Sequence, residues 1–187
     1  LQWMLAAYTL ALGSGLITGG RLGDDYGRRR VFLAALTAFA VASAACALAP
    51  TAGALIAVRA LQGLAGGFMV PQVFGIIRSS FEPAAMAKAF GAYGAVQGLA
   101  SVAGPLIGGA LVDADLAGLG WRTIFWINIP MAAVAMVMIH FSVPSRDKDQ
   151  PLQKVDVVGG VLLAIALGAA VVGLYNPSPD GKNLLPS

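Results

Sequence analysis

The sequence has little charge for its length of 187 residues. Asp, Glu, Lys and Arg together make up 11% of the residues, against about 25% in an ordinary soluble domain, and hydrophobic residues make up 58%. This composition excludes a water-soluble globular domain. The formal net charge of +3 is too small to indicate a nucleic-acid-binding protein.

Cysteine and histidine each occur once. Cys46 lies in an apolar run, and a single thiol forms neither an internal disulfide nor a cysteine cluster for a metal ion. His140, near the end of another apolar run, is the only side chain that could serve a histidine-based metal site or a serine-histidine triad. The sequence therefore predicts no metal and no cofactor, and we expect His140 to be an interfacial side chain.

Long apolar runs dominate the chain, and a helix that crosses a bilayer needs about 20 such residues. Proline and glycine within 50–53 divide the longest run in two. The sequence therefore predicts an all-α membrane protein with helices near 2–22, 30–48, 53–78, 85–112, 123–141 and 155–175.

Basic residues lie mostly on one side of this topology. The loops 23–30, 79–84 and 142–154 and the adjoining helix ends carry Arg21, Arg28, Arg29, Arg30, Arg78, Lys88, Arg146, Lys148 and Lys154. The opposite side carries only Arg122 and Lys182. The positive-inside rule places the first group of loops in the cytoplasm. Leu1 then lies outside the cell, so we expect at least one helix to precede it.

The first cytoplasmic loop, at 20–30, combines glycines, acids and bases. Asp24 and Arg28 are four residues apart and could pair on a helical turn. The alternative is that the arginines only set the topology and contact anionic lipid. The candidate residues of this loop motif are Gly20, Leu22, Asp24, Gly27, Arg28 and Arg29.

The third predicted span contains an arginine, in the segment 55–67. Burial of a guanidinium in lipid is costly, so we expect Arg59 to face protein, water or a partner, the alternative being a side chain that extends to the outer surface. Gln62 and Gly63 lie on the same helical face by their spacing. These three residues form the arginine motif.

The fourth span is rich in glycine, with pairs spaced four apart that allow two membrane helices to approach closely. A proline inside the span is expected to bend the helix. The candidate residues of this glycine motif are Gly91, Gly104, Pro105, Gly108 and Gly109. The next span opens with the tryptophan segment, 120–130, where Trp121 and Trp126 suit the membrane interface.

These four segments resemble signatures of the major facilitator superfamily of transporters. The loop motif resembles the loop between the second and third helices, with Asp25 where a basic residue is usual. The arginine motif resembles that of the fourth helix. The glycine motif resembles the antiporter motif of the fifth helix in exporters, with Ala100 where glycine is commoner. The tryptophan segment resembles the start of the sixth helix in the fourteen-helix drug:proton antiporters of the EmrB/QacA type.

The resemblance implies a partial major facilitator fold. Residues 1–154 would form helices two to six of the N-terminal half, 155–175 an additional membrane helix, and 176–187 an outer loop that starts the missing remainder. It also implies that Asp24 contacts the other half of the transporter and that Arg59 takes part in proton coupling. No Asp or Glu lies deep in a span, so the proton-titrating carboxylate is expected in the missing first helix.

The resulting hypothesis is a transporter of the cell membrane, not an enzyme, that exports drugs or other small hydrophobic or cationic compounds in exchange for protons. Its expected partners are protons, the substrate, membrane lipids and the remainder of the same chain, without nucleic acid. One alternative is export of a specific metabolite. Another is a membrane enzyme acting on lipid headgroups through Asp24, Asp25 and the arginines, and a third is a fragment that does not transport alone.

Overall fold

The computed structural model of the protein describes residues 2–115 and 118–143. A 3-10 turn at Gly120–Arg122 precedes α5. Within these two ranges the chain forms helices and no strand, which confirms the all-α prediction. The helices are α1 (Gln2–Tyr26), α2 (Arg28–Ala47), α3 (Ala52–Ser80), α4 (Pro83–Asp113), α5 (Thr123–Trp126) and α6 (Asn128–Ser142).

Five of the six predicted spans are helical, and the sixth, at 155–175, lies outside the described residues together with the predicted outer loop at 176–187. Within the described part of the chain, four segments are long and apolar enough to cross a membrane: Arg28–Ala47, Ala52–Ser80, Pro83–Asp113 and Gly120–Ser142. Helix α1, with 25 residues, is not among these four segments.

Helices α1 and α3 run parallel and in close contact along most of their length. Glycines make this approach possible, since a β-carbon built on Gly19 would lie 2.7 Å from the Phe68 Cα. At the ends of the pair, Gly63 lies against Tyr8 and Gly23 against Gln72. The Gln72 amide, 1% exposed, donates to the Gly19 carbonyl at 2.5 Å and so joins the two helices without an unpaired polar group.

Helix α2 runs antiparallel to α3 and also packs against α6. Its first turn lies beside Gly75 of α3 and beside His140 of α6, whereas Ser43, near its other end, meets Gln62 and Asn128. The turn at Gly27, the end of α3 and the end of α6 therefore share one end of the bundle. This is the end that the distribution of basic residues predicts to be cytoplasmic.

The predicted polar loop at 23–30 is wrong in its bounds. Helix α1 continues to Tyr26 and α2 begins at Arg28, so Gly27 alone connects them. Gly27 has φ 90°, a conformation that side-chain-bearing residues rarely adopt, and this permits reversal within one residue. At the opposite end, the predicted turn at 50–53 is confirmed: Thr51 precedes α3, and its hydroxyl accepts a hydrogen bond from the Ala54 N–H at 3.2 Å.

The span predicted at 123–141 is helical but is divided between α5 and α6. Pro130 has no N–H to donate to the Trp126 carbonyl, so the regular hydrogen-bond pattern is interrupted around Ile127. Helix α4 contacts α3 through Phe74, whose ring lies 5.8 Å from that of Phe90. No residue of α4 is buried by the described part of the chain.

Candidate functional site

A polar cluster lies among α1, α2, α3 and the segment that joins α5 to α6. Its charged member is Arg59, whose Nη1 donates to the Gln62 Oε1 at 2.9 Å. The guanidinium carbon lies 4.3 Å from the centre of the Tyr8 ring and 5.7 Å from that of Phe125. Two aromatic faces and an amide oxygen therefore hold the cation. Of the three expected surroundings of Arg59, namely protein, water or a partner, the structure shows protein.

Gln62 connects Arg59 to the neighbouring helices. It is 1% exposed, and its Nε2 donates to the Ser43 Oγ of α2 at 2.6 Å. The same hydroxyl oxygen accepts from the Asn128 Nδ2 at 3.2 Å. The Cys46 thiol lies 3.9 Å from the Gln62 Oε1. Gln62 thus presents its oxygen to Arg59 and its nitrogen to Ser43.

Gly63 allows this cluster to sit beside α1. A β-carbon at position 63 would overlap the Tyr8 carbonyl oxygen, and one at Gly67 would overlap the Leu12 carbonyl oxygen. Gly63 and Gly67 of α3 therefore face α1. Because the Tyr8 backbone is held against Gly63, the Tyr8 ring reaches Arg59 one turn away.

The cluster contains the positive charge of Arg59, and no acidic side chain of the described residues belongs to it. The acidic residues within 2–115 and 118–143 lie at helix ends or connections: Asp24, Asp25, Glu82, Asp113 and Asp115. The same ranges contain no group of His, Cys, Asp and Glu side chains that could hold a metal ion. A guanidinium held by neutral groups in an apolar bundle is suited to bind or stabilise an anionic group that approaches it.

The loop motif forms a second polar site at the predicted cytoplasmic end. Arg28 Nη2 pairs with Asp24 Oδ1 at 2.5 Å across the turn, which confirms that these two side chains pair. The Arg28 side chain continues over Gly75 of α3, where a β-carbon would overlap it. This ion pair is partly exposed, so its contribution to stability is small, and its value lies in fixing the direction of Arg28.

Arg29 connects the same turn to α6. Its Nη2 donates to the His140 carbonyl oxygen at 2.9 Å and lies 3.3 Å from the His140 ring Nδ1. His140 is exposed at the end of α6, in keeping with the expected interfacial position. Of the other loop residues, Gly20 lies near Pro71 of α3, and Leu22 is half-buried within α1.

The structure does not bring the glycine motif to the arginine cluster. Helix α4 is unbroken through Pro105. Close packing on its small residues is not seen in the described part of the chain, where a β-carbon would meet no atom within 4 Å at Gly91, Gly104, Gly108 and Gly109.

Sequence reasoning missed four members of the cluster: Tyr8, Ser43, Phe125 and Asn128. A signal existed for two of them, because Ser43 and Asn128 are polar residues inside predicted spans, where polar groups need partners. The aromatic pair gave no such signal, since aromatic side chains are common in apolar helices.

Several membrane-length helices packed around a polar cluster define a multi-pass membrane protein. The sequence model of the Major Facilitator Superfamily matches residues 1–176, and the chain belongs to that family. This confirms the resemblance at the level of the superfamily, and it places the chain in a family of transporters rather than of enzymes.

Curated relatives match the chain over almost its whole length. It is 42% identical over 193 residues to a probable triacylglyceride transporter of Mycobacterium bovis and equally to a triacylglyceride transporter of Mycobacterium tuberculosis, covering 100% of this chain and 36% of each relative. It is 44% identical over 181 residues to a probable actinorhodin transporter of Streptomyces coelicolor, covering 97% of this chain and 31% of the relative. The chain thus spans about a third of the length of these relatives.

Proposed function

We propose that this chain is part of a secondary active exporter of the cell membrane that moves small hydrophobic or cationic compounds in exchange for protons. The observation that carries the proposal is the match of residues 1–176 to the major facilitator superfamily, together with relatives named as transporters. In such folds the substrate binds near the middle of the membrane, and the two halves move around it.

Arg59 is the proposed centre of proton coupling. A carboxylate beside it would be favoured in its charged form, so movement of Arg59 towards or away from that acid would change whether the acid holds a proton. The acid is proposed to belong to a part of the full-length protein outside this chain, in the helix expected before Leu1.

The loop motif is proposed to form the cytoplasmic gate. In this arrangement the Asp24–Arg28 pair holds the turn at Gly27, and Asp24 contacts the half of the transporter that this chain does not contain. The glycine motif of α4 is proposed to take part in export. The same proposal includes the division of the chain into helices two to six at 1–154 and a further helix at 155–175. It also includes membership of the fourteen-helix EmrB/QacA-type group.

The relatives favour a second candidate substrate. The mycobacterial proteins are named for triacylglycerides and the Streptomyces protein for actinorhodin, so a specific lipid or metabolite is the alternative to a range of drugs. The proposed partners are protons, such a substrate, membrane lipids and the remainder of the chain.

The test uses the full-length protein in liposomes with an imposed pH gradient. Export of a fluorescent cationic dye and export of a labelled triacylglyceride are measured in separate reactions. Arg59→Ala is expected to abolish the dependence on the gradient, whereas Arg78→Ala, a matched change at an exposed position of the same helix, is expected to keep it. Gradient-driven export that is unchanged in Arg59→Ala at equal protein levels would refute the proposed role of Arg59. Transport of triacylglyceride without dye transport would select the second candidate.

A further inference from the structure

We propose that Ser43 and Asn128 are positioning residues for Arg59, because they hold the Gln62 side chain with its amide oxygen on the guanidinium. This inference rests on the proposed role of Arg59 in export. Neither residue belongs to the loop, arginine or glycine motif, and they come from α2 and α6, whereas Arg59 and Gln62 belong to α3.

The chemistry of the Gln62 amide makes its direction important. One end of the amide is an acceptor and the other a donor, so only one orientation suits a cation. The oxygen meets Arg59 at 2.9 Å, and the nitrogen finds its acceptor in the Ser43 hydroxyl at 2.6 Å. Without that acceptor, a buried amide donor would be unpaired, and the side chain would turn towards another acceptor.

Asn128 supports the same hydroxyl from the other side. Its Nδ2 donates to the Ser43 Oγ at 3.2 Å, so a single oxygen accepts from two amides on two helices. Asn128 is the first residue of α6, next to the interruption at Ile127, and Phe125 from the same segment lies over Arg59. One short segment therefore contacts the guanidinium both directly and through Ser43 and Gln62.

Burial makes this arrangement specific. Ser43 is 0% exposed and Gln62 is 1% exposed, so water cannot readily replace either hydrogen-bond partner. The hydrogen bond between Arg59 and Gln62 lies within α3, whereas the other two bonds join α3 to α2 and α6 to α2. The orientation of Arg59 consequently depends on how α2 and α6 are placed against α3.

The first experiment measures gradient-driven export by the full-length protein with Ser43→Ala in two backgrounds. In the natural background we expect export to fall about fivefold, the effect of one net hydrogen bond. In the Gln62→Met background, Ser43→Ala is expected to change export less than about twofold, because methionine has no amide for the Ser43 oxygen to orient. Ser14→Ala is the matched control, since Ser14 is also buried but bonds only to the Ala11 carbonyl of its own helix.

Asn128 is tested by non-additivity. Asn128→Ala is expected to lower export by a smaller factor than Ser43→Ala, and the double variant is expected to match Ser43→Ala alone, because Asn128 acts through that hydroxyl. Equal losses from Ser43→Ala in both Gln62 backgrounds, or a loss of the same size from Ser14→Ala, would overturn the positioning role and leave only a packing role.

A second measurement does not need transport. The melting temperature of the purified full-length protein is compared in a cycle of Ser43→Ala and Arg59→Ala. We expect Ser43→Ala to lower the melting temperature less when Arg59 is absent, because the amide then has no required direction. Additive shifts would overturn the link between Ser43 and Arg59. If instead export never depends on the gradient, the proposed function fails, and this cycle still decides whether Ser43 orients the site.

Discussion

The contact between Gly63 of α3 and the backbone of α1 has no room for a β-carbon. In Gly63→Ala the added carbon would overlap the Tyr8 carbonyl oxygen, with the Tyr8 Cα 3.0 Å away. Both atoms belong to the main chain of a helix, so a side-chain rotation cannot relieve the overlap. Helices α1 and α3 must move apart, and the site around Arg59 moves with them.

The magnitude follows from two opposing terms. Overpacking of a well-packed interior costs about 1–3 kcal/mol. Replacement of a helical glycine by alanine contributes about 1 kcal/mol in the other direction. We therefore expect Gly63→Ala to lower the free energy of unfolding by up to about 2 kcal/mol. Gly53→Ala, in the exposed first turn of the same helix with no atom within 4 Å of its added carbon, should leave it unchanged or raise it slightly.

The assay is unfolding of the purified full-length protein in mixed micelles with increasing SDS, followed by tryptophan fluorescence. The difference between the two variants isolates the contact with Tyr8 from the general effect of alanine in a helix. If Gly63→Ala is as stable as Gly53→Ala, the close approach of α1 and α3 at this position does not exist, and the reasoning about the site beside it is refuted.

Two further changes test the ends of the bundle. In Gly75→Ala the added carbon meets the flexible Arg28 side chain rather than main chain, so we expect the free energy of unfolding to fall by less than about 1 kcal/mol. Export should nevertheless be clearly reduced, because Arg28 must leave its place beside Asp24. A stability loss as large as that of Gly63→Ala would contradict this reasoning. Arg122 donates to the Ala47 carbonyl at 2.8 Å and to the Ala49 carbonyl at 3.3 Å. Arg122→Ala should therefore lower the free energy of unfolding by about 1–3 kcal/mol in the same SDS titration, and Arg122→Lys by less. An unchanged value would show that this contact between the end of α2 and the 3-10 turn at Gly120–Arg122 contributes nothing to stability.

The helices could be predicted from the sequence because each requires only a local property. An apolar run of sufficient length must satisfy its backbone groups internally, and a helix does so without reference to the rest of the molecule. The pairing of Asp24 with Arg28 was predictable for the same reason, since four residues separate them on one helical surface. The end of α1 and the start of α2 were not predictable in this way. The charged residues suggested a loop, whereas Gly27 alone, with φ 90°, connects the two helices.

By itself, the sequence determined that the chain is an all-α membrane protein and that Arg59 must find a partner away from lipid. The tertiary structure alone decided what that partner would be. Ser43 and Asn128 are 85 residues apart in the chain, and they meet at one hydroxyl because α2 packs between α3 and α6. Helical periodicity specifies which residues share a face, but the neighbour that the face meets depends on the packing of the whole bundle.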